Sequence, residues 1–585
     1  MSTLPKPYDD VSAGEATCFP RPGIRAFPRV EWIVMGVLVA ALAFSFRRAE
    51  PDLWGHVQYG RDAIQLGLPV TTTYSYTAEG YPWINHENLF EISAAWLIDQ
   101  GGVRSLLAFK SLLGLLVVVL VARNALREQV TWPVLGIAAV GLTLVLRHYW
   151  PARPQIFSYA LCAAFAAILS EAFAGWRDQW LWPWGRSWAR GGEPTLAHRD
   201  PWRTRLLWLM PLVFVLWTNS HGGFVAGLAI YLVYLALRGI EAWWVSGRES
   251  WGMQRRLMLM ASAAVVVTFL NPYGPRLHAW LETALTVPLP EITEWHPLTW
   301  RDEAFLPFVL WTAAVALGLC YSRLSLDATH LAVLALVLWQ SLTHQRHVPF
   351  FVILTAFWLP RHWQSAWDRV RTVLLSRSTN SFQTVCSTPS PSRWFPWCVW
   401  TANAILLVAL WNRWSLIQVD RGEYPVSAIA YMRQHNLQGR LVVTYNWAQY
   451  ALASMGSLQP DDPGVKVHFD GRFNTCYPQR IIDQHFDFIL GNGPEIARYR
   501  SPNTSPPRAE RILEEGQPDL VLISRLQEPS VHTMHRCAAK WVVLYQDPLS
   551  QVWGRRSVYD DPSSPHYLPL ELRCFTDEPQ AGWVP

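Results

Sequence analysis

Apolar residues in this chain collect into long runs instead of alternating singly, and the runs approach the roughly 20 residues that a bilayer-crossing helix needs. They extend over Val30 to Phe46, Val103 to Ala122, Pro133 to Trp150, Ile156 to Ala174, Leu206 to Ser220 and Gly223 to Leu237, then Leu257 to Leu270, Phe305 to Tyr321, Ala328 to Leu342, Val348 to Leu359 and Trp397 to Trp414. They predict about eleven crossings. A tail over 1–29 precedes the first, a transmembrane domain covers 30–360, and a Ser, Thr and Pro-rich linker over 361–396 precedes the last span, 397–414.

After Trp414 the pattern changes. Short β-rich runs at Leu441 to Tyr445, Val465 to Phe469, Leu520 to Ile523, Trp541 to Tyr545 and Gln551 to Arg555 are separated by helical or turn segments, which predicts a small α/β domain over 415–585. The expected fold is a mainly α-helical polytopic membrane protein with a small C-terminal extracytoplasmic α/β domain. Between the first two spans lies a large loop, 47–102. Within it Leu53 to Leu66 reads as a helix after Pro51, and Asn85 to Gln100 as a second helix at the membrane surface with Asn85 as its cap.

Arginine placement gives the orientation, because Lys and Arg in short connections favour the cytoplasmic side. With the N-terminus inside (Arg21, Arg25, Arg29), the inside connections carry Arg123 and Arg127, then Arg177 to Arg205, Arg238 to Arg256, Arg323, and the arginines from Arg361 to Arg393. The outside connections are then 47–102, 151–155, the turn at His221 and Gly222, 271–304, 343–347 and the C-terminal domain. Residues 1–29 contain acids and many prolines and are followed by no small-residue cleavage site, so they read as a cytoplasmic tail and not a cleaved signal.

Composition agrees with the membrane class: 51% of residues are hydrophobic, only 16% are charged, and there are 34 tryptophans. The net charge of +5 comes from cytoplasmic arginines and speaks of orientation, with no nucleic-acid partner implied. The eight cysteines show no metal spacing. Cys162, Cys320 and Cys398 fall in apolar runs, Cys18 and Cys386 on the inside, and Cys476, Cys537 and Cys574 outside, an odd number that leaves at least one unpaired.

The first outside loop carries the candidate chemistry. It holds Glu50, Asp52, His56, Asp62, Glu79, His86, Glu87 and Glu91 among Trp54, Tyr59, Tyr74, Tyr76, Tyr81 and Trp83. Aromatic faces pack on sugar rings and carboxylates accept hydroxyl hydrogens, so this mixture suits a polyol pocket. Plainer readings exist for each acid: Asp52 and Glu87 stand at helix starts, where a carboxylate satisfies free amides and the helix dipole. In the C-terminal domain the most chemical-looking piece is His468-Phe469-Asp470-Gly471-Arg472, read as a structural turn at a strand end.

Pro51-Asp52-Leu53-Trp54-Gly55-His56, Tyr76-Thr77 and Trp83-Ile84-Asn85-His86-Glu87 resemble bacterial polytopic proteins of the GT-C glycosyltransferase superfamily, those with a domain like the lipopolysaccharide glycosyltransferases RgtA to RgtD. Arg153-Pro154-Gln155-Ile156-Phe157-Ser158, Asn219-Ser220-His221-Gly222-Gly223, Asn271-Pro272-Tyr273-Gly274 and Gln345-Arg346-His347-Val348-Pro349-Phe350 extend the resemblance over roughly residues 30–360. The resemblance implies an active site on the outer face of a bacterial inner (plasma) membrane and inverting transfer of a hexosyl or pentosyl group from a polyprenyl-phosphate carrier to a glycan, lipid or protein acceptor. It also implies that the acid of the first outside loop, here Asp52, is the catalytic base, with Glu87 matching a second acid on the surface helix. The commoner form has two adjacent acids, whereas Asp52 stands between Pro51 and Leu53.

A carboxylate within hydrogen-bond reach takes the proton of an acceptor hydroxyl as it attacks the anomeric carbon. The leaving lipid phosphate is already a stable anion and needs charge neutralisation. Arg147, Arg153, Arg276 and Arg346 are the outside cations for that task, with His221 and His347 beside them; headgroup contact is the plainer reading of each arginine. Asp52, His56, His86 and Glu87 together offer oxygen and nitrogen ligands for a divalent metal (Mg, Mn or Zn), and Glu291-Ile-Thr-Glu294-Trp295-His296 adds acids near the same surface. Two other classes stay open. A transporter or flippase for a lipid-linked substrate would place ionisable residues deep in the spans, where Lys110 is the clearest, and a noncatalytic scaffold would bind partners through its outside domain.

Overall fold

The computed structural model describes residues 29–174, 176, 203–287, 290–378, 395–456, 464–491, 498–580 and 583–584. The N-terminal tail with Cys18, the connection from Arg177 to Arg199 and the centre of the Ser, Thr and Pro-rich linker with Cys386 lie outside the described residues.

Every one of the eleven predicted apolar runs is helical. The membrane part comprises α1 (Val30–Ala43), α2 (Leu53–Leu66), α3 (Asn88–Arg127), α4 (Trp132–Leu146), α5 (Gln155–Ala172), α6 (Met210–Thr218), α7 (Phe224–Ser246), α8 (Trp251–Val267) and α9 (Pro275–Thr286). It continues with α10 (Phe305–Tyr321), α11 (Ala328–Thr343), α12 (Val348–Trp358), α13 (Pro360–Ser378) and α14 (Phe395–Arg413). Among the described residues, four helical stretches are long and apolar enough to cross a bilayer: Asn88–Arg127, Trp132–Tyr149, Gln155–Ala172 and Phe224–Val267, the last of them the α7–α8 pair. Val30–Ala43, Phe305–Tyr321 and Ala328–Thr343 are shorter apolar helices. With these helices the chain is a membrane protein. Every residue of α12 is buried, so this helix is enclosed by its neighbours on all sides.

Two expectations about helix limits are corrected. The surface helix predicted over Asn85 to Gln100 and the span that follows are one element, α3, bent at Gly102, whose φ of 67° suits a residue without a Cβ. Arg238, expected in an inside connection, lies within α7, where it is 1% exposed and its Nη1 and Nη2 donate to Glu241 Oε2 and Asp327 Oδ2, each at 2.7 Å. That pairing ties α7 to the start of α11. Lys110, buried in α3, donates to the Phe46 carbonyl at the end of the first span.

The C-terminal part is built on a six-stranded mixed sheet from β2 (Gly439–Val443), β3 (Val465–Val467), β4 (Leu520–Ser524), β5 (Trp541–Gln546), β6 (Ser550–Arg555) and β7 (Cys574–Phe575), in the order β3-β2-β4-β6-β5-β7. β1 (Val419–Asp420) pairs separately with β8 (Trp583–Val584). β2 runs parallel to β3 and β4, and helices α15 (Val426–Gln434), α16 (Tyr445–Met455) and α17 (Gln479–Leu490) lie between the strands in sequence, the α/β alternation read from the chain. The first predicted strand ends at Val443 and not Tyr445, because Tyr445 opens α16. Cys476, Cys537 and Cys574 are free thiols.

The loop 47–102 and this sheet, far apart in sequence, are joined in the structure. Ser75 bridges Val467 in parallel, the Val467 amide donates to the Tyr74 carbonyl at 3.0 Å, and the Ile84 amide donates to the Thr475 carbonyl at 3.0 Å. The loop thus covers the free edge of β3, which would otherwise present unpaired backbone groups.

Candidate active site

Asp52 occupies the position before α2, yet its side chain makes no capping hydrogen bond. It faces Arg153, from the turn between α4 and α5, whose Nη2 lies 3.2 Å from Asp52 Oδ2 and 3.1 Å from Glu50 Oε2, while Nη1 pairs with Glu294. The helix-cap reading of Asp52 is therefore set aside. The same guanidinium gathers three carboxylates from two loops, 47–102 and 271–304. Burial works against the charge on Arg153, but Asp52, Glu294 and Glu50 outweigh it and hold the proton on. Burial pushes the Glu50 carboxyl up, with Arg153 opposing.

A second cluster lies beside the first. α2 packs against α3 so closely that the space a Cβ on Gly60 would take is filled by the Glu91 backbone carbonyl, and this brings His56 to Glu91. His56 Nδ1 is 3.1 Å from Glu91 Oε1 and 3.9 Å from Glu87 Oε2, and His86 Nε2 is 4.0 Å from Glu87 Oε1. Asn85, the predicted cap, does accept from the Glu87 amide at 3.1 Å, and its Nδ2 donates to Glu91 Oε2 at 2.6 Å. Glu87 itself makes no capping bond. Burial raises the Glu87 carboxyl to about 7, the nearby acids adding to the rise and His56 opposing it. Burial lowers His86 to about 4. For His56 burial pulls the same way, but the Glu91 hydrogen bond and the charges of Glu87, Glu91 and Asp52 more than offset it, and the imidazole ends above its ordinary value.

His56, Glu87 and Glu91 form the one group of three candidate metal ligands among the described residues, their donor atoms all within 4.8 Å of one another. Of the predicted ligands Asp52, His56, His86 and Glu87, the structure groups His56 and Glu87 with Glu91, sets His86 beside Glu87, and pairs Asp52 with Arg153. Two carboxylates and an imidazole, with Asn85 orienting one of them, fit a divalent cation. The signal for this group in the sequence is the spacing of Glu87 and Glu91, which stand four apart on one helix face.

Both clusters line one cavity of about 490 Å³. Its walls come from the first outside loop, from Trp280 on α9, from 291–295, and from the C-terminal domain, which supplies Tyr445, Asn446, Gln449 and Gly471 to Thr475. Gly471 and Arg472 belong to the segment read from sequence as a structural turn, whereas no local pattern marks Tyr445, Asn446, Gln449 or Phe473 to Thr475 as cavity residues. His221 lines the cavity; its Nδ1 accepts from the Gly223 amide at 3.0 Å and lies 2.8 Å from Ser158 Oγ, so the ring is held from one side. Burial keeps it neutral, well below its ordinary value. Arg346 also lines the cavity, its guanidinium 4.4 Å from the centre of the Trp295 ring. The other predicted binding residues do not reach the wall: Arg147 is exposed and bonds to His148, Arg276 is exposed on the first turn of α9, and His347 packs on Phe350. Five carboxylates on the wall (Asp52, Glu87, Glu91, Glu291, Glu294) face three guanidiniums. Of these, Arg153 and Arg472 are already paired with carboxylates.

No family model matches the chain, and no curated protein matches it. Solved structures do. The archaeal oligosaccharyltransferase AglB from Archaeoglobus fulgidus, in complex with an inhibitory peptide and a dolichol-phosphate, superposes with a TM-score of 0.52 at 11% identity, over 84% of this chain and 69% of that one. ArnT from Cupriavidus metallidurans bound to undecaprenyl phosphate aligns over 93% of this chain and 100% of that one at 14% identity, with a TM-score of 0.41. The mycobacterial arabinofuranosyltransferase AftD aligns over 90% and 42% at 15% identity, with a TM-score of 0.46. The last two scores are too low to establish a shared fold. The first shows that this chain shares its fold with the archaeal oligosaccharyltransferase.

Proposed function

We propose that this chain is a multi-pass glycosyltransferase that moves a sugar from a polyprenyl-phosphate donor to an extracytoplasmic acceptor, with Asp52 as general base. The observation that carries this is Asp52 held by Arg153 on the wall of a cavity between outer loops, in a chain that shares its fold with an oligosaccharyltransferase. The orientation follows arginine placement, with the N-terminus cytoplasmic, about eleven crossings and the C-terminal domain outside.

The acceptor hydroxyl gives its proton to Asp52 while its oxygen bonds to the anomeric carbon, and the bond from that carbon to the phosphate oxygen breaks with inversion. The departing polyprenyl phosphate carries its negative charge to Arg346, the cavity-wall guanidinium that makes no ion pair among the described residues. Arg153, by contrast, spends its donors on Glu50, Asp52 and Glu294 and serves to orient the base. His56, Glu87 and Glu91 would hold a divalent cation, with His86 at its side. Such an ion supplies charge neutralisation beside the phosphate when bound.

The test uses the purified full chain in detergent with a pool of polyprenyl-phosphate hexoses and pentoses plus membrane extract as acceptor, with released polyprenyl phosphate measured by mass spectrometry. Acceptor-dependent release supports the reading. Donors that all survive unchanged oppose it.

A further inference from the structure

The turn Asp470-Gly471-Arg472 lies at the end of β3, some four hundred residues from Asp52 in sequence, and touches it. A Cβ on Gly471 would stand 2.8 Å from Asp52 Oδ1 and 3.3 Å from Gln449 Nε2. The first distance is shorter than real side chains tolerate, so the missing side chain of Gly471 is what leaves room for the Asp52 carboxylate.

The turn is fixed from below. Arg472 Nε and Nη2 donate to Asp470 at 2.8 and 2.7 Å, the Arg472 amide donates to Asp470 Oδ1 at 3.0 Å, and the Tyr477 hydroxyl donates to Asp470 Oδ2 at 2.7 Å. The guanidinium stands over the rings of Trp83, Tyr59 and Tyr74 at 4.5, 4.8 and 5.2 Å. Those rings belong to the loop that carries Asp52. A planar cation among three aromatic faces is a specific clamp, worth more where water is excluded.

Resting on the glycosyltransferase reading of the same site, we propose that the C-terminal domain positions the catalytic base: Arg472, seated among Tyr59, Tyr74 and Trp83, holds Gly471 against Asp52 and sets where its carboxylate stands in the cavity. The domain is then a working part of the active site. The same placement explains why a structural turn on the C-terminal domain forms cavity wall.

Two measurements on the full chain in detergent test this. In a double-mutant cycle, Gly471→Ala lowers the Tm of the wild type, and the shift shrinks in the Asp52→Ala background, where no carboxylate meets the new methyl group and only Gln449 Nε2 still stands within 3.3 Å of it. In the polyprenyl-phosphate release assay, Gly471→Ala lowers kcat by about 100-fold, the order expected for a displaced catalytic group, with KM for the donor unchanged. Should Gly471→Ala not fold, Arg472→Lys keeps a cation beside Asp470 without the planar fork, and lowers kcat at constant KM. Equal Tm shifts in both backgrounds overturn the proposal, as does wild-type kcat in Gly471→Ala or Arg472→Lys when Asp52→Asn is inactive. Wild-type transfer by Asp52→Asn instead removes the base assignment, a separate outcome that the Tm cycle does not depend on.

Discussion

Arg153 Nη2 lies 3.2 Å from Asp52 Oδ2, a pairing between the turn after α4 and the entry to α2 that turns an acid at a helix start into an oriented carboxylate. Glu50 and Glu294 share the same guanidinium, so one side chain fixes two loops. Replacing Arg153 by Ala leaves three carboxylates without their cation. We expect kcat for polyprenyl-phosphate release to fall by about 100-fold, as for other losses of catalytic orientation, and Arg153→Lys to recover only part of it because one ammonium cannot serve three partners with a fork. Wild-type kcat in Arg153→Ala would contradict this.

Arg346 is assigned to the leaving phosphate. A charge-assisted hydrogen bond contributes about 1.5–3 kcal/mol, so Arg346→Ala should weaken donor binding by about 10- to 100-fold. The measurement is KM for the donor beside inhibition by added polyprenyl phosphate, which should weaken in parallel. A change in kcat alone would place Arg346 elsewhere in the reaction.

The His56, Glu87 and Glu91 group predicts a cation affinity that rises with pH. Glu87 titrates at about 7, raised by burial, and His56 lies above its ordinary value, so below neutrality a cation must displace protons from both. Calorimetric titration with Mn²⁺ or Zn²⁺ should show affinity increasing through pH 7 with a falling proton release, and Glu87→Gln should flatten that slope. A pH-independent affinity would place the ion on other ligands.

Asp470 gives a stability signature. Burial disfavours its charge, but Arg472 and the hydrogen bonds from Arg472 and Tyr477 outweigh burial and hold its carboxyl below the usual value. A carboxyl whose folded value is depressed contributes stability above its unfolded value, about 3.9, and that contribution is lost as pH falls through the folded value. The Tm of the wild type should therefore drop below about pH 4, while Asp470→Asn should be destabilised at neutral pH by about 3–5 kcal/mol and lose that part of the acid dependence. Identical acid profiles would argue against the buried pair.

The sequence made the local features plain. The limits of α2 coincide with the predicted Leu53 to Leu66, and the strands β2 to β6 fall on the predicted runs, because apolar periodicity and turn residues act over a few positions. The division of roles between the arginines was hidden. Arg153 and Arg346 look alike in sequence as outside cations, and only the convergence of Glu50, Asp52 and Glu294 separates an orienting residue from one left for phosphate. Gly471 reads in sequence as part of a turn, but its tie to Asp52 and Gln449 is hidden, since a glycine at a turn gives no sign of which distant side chain needs its space.

If Asp52 takes the acceptor proton, the rate of polyprenyl-phosphate release by Asp52→Asn reports the loss of that step. Asparagine keeps the shape but cannot accept the proton as a carboxylate does. The expected result is a kcat lowered by about 10²- to 10⁴-fold, with donor binding retained and a Tm close to that of the wild type. Release at the wild-type rate by a folded Asp52→Asn protein would contradict the claim.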